Sequence, residues 1–318
     1  MNTLQTAHED AARYLHEDDY GKDYELPEVA VTHDVRYAVV GAVDAPNVIL
    51  ESAPYLTAID KPHYLLRLMA QQEVLGENYA VVGIEAFNPA MNLTHRQRKA
   101  IAAGSFSVYA TNVLRVAEAV HCEDDQVFSA YGYSLGGDVA VQTAYDVATN
   151  ENRGVINIQG LGAVEAARVD NRGLRVVKAM ADSGKNLWQN VRNSESEALN
   201  VAWGIDENMT DEQIKEAVSH IDVRFLAGYM LRGPLHIRAL ISGSGTRETV
   251  HQLDHLSYTD LPVVLGRQAA SKVCTPEFID RYAEAFTVFT EFGNDHSADD
   301  NLIRSAGRAL FFARTIDA

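Results

Sequence analysis

Apolar residues recur along the chain in two rhythms, short β-branched runs and longer stretches whose apolar positions fall three and four apart. Val29 to Thr32 and Val35 to Val43 alternate as paired antiparallel strands do, and Ala45-Pro46-Asn47 supplies a turn ahead of the apolar run Val48 to Leu50. Tyr64, Leu65, Leu68 and Met69 predict a helix, and Tyr79 to Ile84 a strand. Val113, Leu114, Val116, Ala117 and Val120 place a helix over Tyr109 to Val120, and Gln126 to Tyr131 reads as the next strand. Strands and helices that alternate in this way predict an α/β fold, with a mostly parallel central sheet flanked by helices and opened by an antiparallel hairpin.

Beyond Gly137 the spacing of Val139, Ala140, Thr143, Ala144 and Val147 predicts a helix, and Gly154 to Ile158 a strand. The rhythm breaks at about Val164. Helical segments follow, and Thr210 with Gln213 forms a capping box ahead of Ile214, Ala217, Val218 and Ile221. Strand Leu261 to Leu265 restores the alternation, then a helix opened by Thr275-Pro276, strand Phe286 to Phe292 and a last helix from Asn301 to Arg314. The expected organisation is an acidic N-terminal extension over 1–27, a first part of the core over 28–163, a helical insertion over 164–250 and a second part of the core over 251–318.

Composition narrows the partners. The 318 residues are 47% hydrophobic, enough for a large core, and 27 Lys+Arg against 44 Asp+Glu leave a net charge of −17. That field repels phosphate backbones, so nucleic acid is not expected. Cys122 and Cys274 are too few for a disulfide framework and fit a reducing, cytoplasmic setting. The segment Met1 to Glu25 carries His8, Glu9, Asp10, Glu17, Asp18 and Asp19 where a secretory leader has a basic end and an apolar stretch, and it reads as a solvated extension. No apolar run approaches the roughly 18 residues of a membrane span. His251 and His255 share a helix face with Asp254 between them, but no third ligand is specified and a polar helix face is the simpler account, so no metal is expected.

One motif carries chemistry. Gly132-Tyr133-Ser134-Leu135-Gly136 is a G-x-S-x-G sequence that follows a predicted strand and opens a predicted helix. On such a bend the hydroxyl of Ser134 projects above the sheet edge, small neighbours let strand and helix pass closely, and the N–H of Leu135 at the helix start points at a developing oxyanion. The plainer alternative is a glycine-rich turn whose serine caps the helix. Ala53, in the loop Glu51-Ser52-Ala53-Pro54-Tyr55, is the candidate second donor, with an ordinary strand-end turn as its alternative. Among 11 histidines His296 stands out, because Phe292-Gly293-Asn294-Asp295-His296-Ser297 follows the last predicted strand.

On these features, together with the Val35-Arg36-Tyr37 to Asp44-Ala45-Pro46 hairpin and Arg153-Gly154-Val155, the chain resembles the α/β-hydrolase family from about Glu28 to its end. The resemblance implies that the insertion is a lid and that the protein is a serine esterase or related acyl hydrolase. Its substrate would be a small acyl compound, an acyl-enzyme would form on Ser134, and no metal or organic cofactor is implied. Two departures stand out. Glu51-Ser52 replaces the His-Gly that family members often show, and the position three residues beyond Gly266, where an acid is usual, holds Ala269. At the alternative place, the end of the sixth strand, the match falls on Gln159. Asp260 and Glu277 are the other candidates to orient His296. Three readings therefore stand: an esterase, an impaired scaffold that binds a ligand or protein, and an acyltransferase using the same serine. Trp188 and Trp203 fall within the insertion and either line an acyl pocket or pack it onto the core.

Overall fold

The computed structural model describes residues 3–15, 25–54, 57–87, 93–149, 156–166, 208–210, 212–213, 244–269, 271, 274–291 and 302–318. Eight strands form one sheet: β1 (Val29–Thr32), β2 (Val35–Val40), β3 (Asn47–Ser52), β4 (Tyr79–Ile84), β5 (Val127–Tyr133), β6 (Ile158–Val164), β7 (Val263–Gln268) and β8 (Thr287–Glu291). Their order is β1-β2-β4-β3-β5-β6-β7-β8. The first two pairings, β1 with β2 and β2 with β4, are antiparallel, and every later one is parallel. The chain steps from β3 outward to β4, then crosses back over β3 to β5. This reversal opens a crevice beyond the carboxyl ends of β3 and β5, the place where an open α/β sheet holds its ligands.

The described helices are α1 (Leu4–Tyr14), α2 (Pro62–Leu75), α3 (His95–Ala102), α4 (Ser107–Val120), α5 (Leu135–Thr149), α6 (Ser244–Leu256), α7 (Pro276–Tyr282) and α8 (Leu302–Ile316). Successive strand residues point to opposite faces, so a parallel strand covered on both sides is apolar throughout. Val48 and Leu50 join the cluster formed with α4, α5, α6 and α7, whereas Ile49 between them joins the cluster formed with α1 and α8. Helices on both faces of the sheet are the doubly covered architecture that the alternation predicts.

Most predicted elements fall within a few residues of their places; α3 has no counterpart in the sequence reading, and three other readings differ. The sixth strand runs over Ile158–Val164, not Gly154 to Ile158. Gly160 and Gly162 hide it from a reading based on strand propensity. They are needed for space: a Cβ at 160 would strike Ile316 and one at 162 would strike Tyr131, so α8 packs where side chains are missing. Next, the segment read as a solvated extension is, over Leu4–Tyr14, a capped helix with Ala7 and Ala11 buried. His8 fills the notch left by Gly307, and Arg314 pairs with Asp10. Finally, α6 begins at Ser244 and its Thr249 donates to Asp138 of α5 at 2.9 Å, which ties residues assigned to the insertion to the core. The Thr210 and Gln213 pair makes both capping bonds, at 2.8 and 3.3 Å. The helix predicted after it and both tryptophans lie outside the described residues. Among the described residues, no helix is long and apolar enough to cross a membrane, and no group of three His, Cys, Asp or Glu is placed to hold a metal ion. His251 and His255 instead lie against the ring of Tyr145, at centroid distances of 6.1 and 5.3 Å.

Candidate active site

Ser134 sits on the bend between β5 and α5 with φ of 55°, a left-handed conformation that costs a residue with a Cβ roughly 1–3 kcal/mol. The surroundings hold it there. Its N–H donates to Val164 O at 2.9 Å and its carbonyl accepts from Gly137 N–H at 3.0 Å. A Cβ at position 132 would run into the Gly136 carbonyl, and one at 136 would run into that of Ser52, so only glycines let the bend pass β3. Gly132, Tyr133, Leu135 and Gly136 are buried while Ser134 is part-exposed. The residue carrying the hydroxyl is therefore the one the bend presents.

Leu135 opens α5, so its N–H is among the groups that a helix leaves without an intrahelical partner, at the positive end of the dipole. Ala53 is placed differently. Its N–H donates to Ile84 O at 2.9 Å and is spent on the sheet, so as an oxyanion donor it would first have to give up that bond. Glu51, standing where His is frequent, turns away from the bend. It is buried against α2, where Tyr64 Oη donates to it at 3.2 Å and Arg67 pairs with it, the Arg67 guanidinium lying 4.4 Å from the Tyr64 ring centroid.

The three positions considered for the acid do not reach the bend. Gln159 is the second residue of β6, exposed, and level with the beginning of β5. Asp260 precedes β7 on that same far rim and is exposed. Glu277 lies in the first turn of α7, where its own N–H and Thr275 hold its carboxyl below the usual range; it is a capping residue on the surface. His296 lies outside the described residues, in the stretch between β8 and α8.

A carboxylate that the sequence reading does not single out lies next to the serine bend. Glu165 follows β6 directly, 0% exposed, with φ of 57°. Register makes it the neighbour of the serine: Tyr133 pairs with Val164, so one step further Ser134 and Glu165 stand side by side at the rim. Its N–H donates to Gly266 O at 2.8 Å. One carboxylate oxygen accepts from the Gln268 N–H and the other from the Ser271 hydroxyl. Arg267 shapes the loop that supplies Ser271, donating to Cys274 O and Ala269 O at 3.1 Å each. The sequence reading ends the sixth strand at Ile158 and so stops short of Glu165.

Another buried glutamate, Glu291, ends β8. Arg308 Nη1 donates to its Oε2 at 3.0 Å, Gln268 Nε2 donates to the same oxygen, and His8 Nε2 lies 3.4 Å from Oε1. Burial pushes this carboxyl up, but Arg308, the Gln268 amide, His8 and Arg304 together outweigh it and hold it below its ordinary value.

No protein-family model matches the chain, and no curated protein does. Solved structures do. A thioesterase domain from the curacin biosynthetic pathway superposes with a TM-score of 0.50 at 15% identity, over 87% of this chain and 95% of that one. A loop variant of the haloalkane dehalogenase DbeA from Bradyrhizobium elkanii superposes with a TM-score of 0.54 at 13% identity, over 91% and 97%. The chain has the α/β-hydrolase fold. One neighbour is a thioesterase and the other a dehalogenase, so the choice of reaction rests with the site.

Proposed function

We propose that the protein is a serine hydrolase that cleaves an ester or thioester of a small acyl compound through an acyl-enzyme. Ser134 attacks the acyl carbon. His296 takes the hydroxyl proton and returns it to the leaving group, Glu165 orients the imidazole, and the Leu135 N–H receives the oxyanion. Water then attacks the acyl-enzyme, with the same imidazole as base, and releases the acid. The observation that carries this reading is a serine held in a strained bend beside a fully buried carboxylate on the adjoining strand. The Ala269 position after Gly266 and Gln159 favour an impaired scaffold; a buried Glu165 next to the bend supports the hydrolase reading instead.

The test is labelling with a fluorophosphonate probe followed by peptide mapping, alongside turnover of short p-nitrophenyl esters. The expected adduct is on Ser134. Ser134→Ala and His296→Ala are each expected to lower kcat by roughly 10⁴ or more, since residues that act as a unit fail together. Ester turnover that survives both substitutions would place the chemistry elsewhere, and an unlabelled Ser134 in folded protein would remove the acyl-enzyme.

A further inference from the structure

We infer that Arg308 is a positioning residue for hydrolysis, coupling the residue ahead of the nucleophile to the carboxylate beside it through Glu291 and Gln268. This rests on the reading of Ser134 and Glu165 given above.

The coupling is a continuous set of contacts. Arg308 lies in the second turn of α8 and is 1% exposed. Its guanidinium carbon stands 5.3 Å from the ring centroid of Tyr133, the residue that precedes Ser134. From there Nη1 reaches Glu291 Oε2 at 3.0 Å. That oxygen also accepts from the side chain of Gln268, whose backbone N–H donates to Glu165. Tyr133, Gln268 and Glu291 are the last residues of β5, β7 and β8, and Glu165 is the first beyond β6. One planar cation under the sheet rim therefore fixes four neighbouring strand ends against each other. Glu291 is also five residues ahead of His296 in the sequence.

The choice of residue matters physically. Desolvating a guanidinium is costly, and an apolar side chain would fill the same space without that penalty. What an apolar group cannot do is hold an aromatic ring and a carboxylate at fixed angles. A rigid fork with a delocalised charge does this, and the point charge of lysine on a flexible stem does not. Through this chain Arg308 sets where the Gln268 N–H points, and so the angle at which Glu165 meets an imidazole.

The experiment compares Arg308→Lys, Gln268→Met and Glu165→Gln, singly and with Arg308→Lys combined with Glu165→Gln. Fluorophosphonate labelling rates are read together with kcat and KM for a p-nitrophenyl ester and with the thermal midpoint. Arg308→Lys and Gln268→Met are each expected to lower kcat by roughly 10- to 100-fold with KM within about twofold of wild type. In the Glu165→Gln background Arg308→Lys is expected to cost less than about threefold, because residues acting through one another are not additive. Wild-type labelling with unchanged rates in both variants overturns the inference, as does a full Arg308→Lys penalty in the Glu165→Gln background; either leaves the serine reading standing. Failure of wild type to label removes that reading, and the inference with it. Should Arg308→Lys not fold, Gln268→Met decides.

Discussion

Glu165 and Glu291 are two buried glutamates at neighbouring corners of the same sheet rim, and both touch Gln268. They are held in opposite ways. Among the described contacts Glu165 accepts from a backbone N–H and a hydroxyl, whereas Glu291 accepts from a guanidinium and is faced by an imidazole. A carboxylate with a cation against it has its field spent locally, and its removal leaves an uncompensated buried charge. A carboxylate oxygen that accepts from a backbone N–H or a hydroxyl still has a lone pair for a further donor. On the proposed reading Glu165 serves the chemistry and Glu291 the frame, although burial alone makes the two look alike.

The sharpest way to break this comparison is to turn each carboxylate into its amide. Glu165→Gln is expected to lower kcat by roughly 10³- to 10⁴-fold, in line with an amide at the acid position of a serine triad, with little change in stability. Steady-state ester hydrolysis together with thermal unfolding checks it; equal losses in the two amide variants would erase the distinction. Glu291→Gln is expected to strand Arg308 and to lower the unfolding free energy by about 3–5 kcal/mol, measured by urea titration, with the smaller effect on kcat.

The finest difference is in acid. Burial, reinforced by Arg308 and Arg304 and opposed by Glu291, holds the His8 imidazole below its ordinary 6.5. The folded state thus prefers neutral His8, and its contribution is full above pH 6.5 and fades as pH falls below it. Glu291, also lowered, contributes above its unfolded value of 4.5 and loses that as pH falls through its folded value. His63, buried beside Arg67 and Lys61, is held down to about 3, so its loss starts at the same upper edge and runs on through the lower stage. Stability measured by urea titration across pH is therefore expected to decline in two stages. His8→Asn should shallow the stage that begins near 6.5, and Glu291→Gln the lower one. A His8→Asn curve parallel to wild type throughout would show that His8 does not sense its burial.

Much of this was legible in the chain. The order of strands and helices, the hairpin at the start, the bend at Ser134 and the Thr275 cap are local, set by apolar period, glycine spacing and side-chain capping within a few residues. Glu165 was not legible, because a strand carrying Gly160 and Gly162 looks weak by propensity and is stabilised by Tyr131 and Ile316 from elsewhere. The docking of α1 was hidden likewise, since an acidic, weakly apolar segment is helical and buried only once α8 offers it a surface with a notch at Gly307.

Sequence by itself determined the architecture, the strained serine and the candidate histidine, since each depends on near neighbours in the chain. Only the tertiary structure decided which carboxylate stands beside that serine, that the Ala53 N–H is already bonded, and that Arg308 pairs with Glu291. Those outcomes follow from strand register and from contacts between residues distant in the chain, up to the 106 positions between Glu165 and Ser271. A linear pattern records which groups are present; the pairing of strands sets which of them meet.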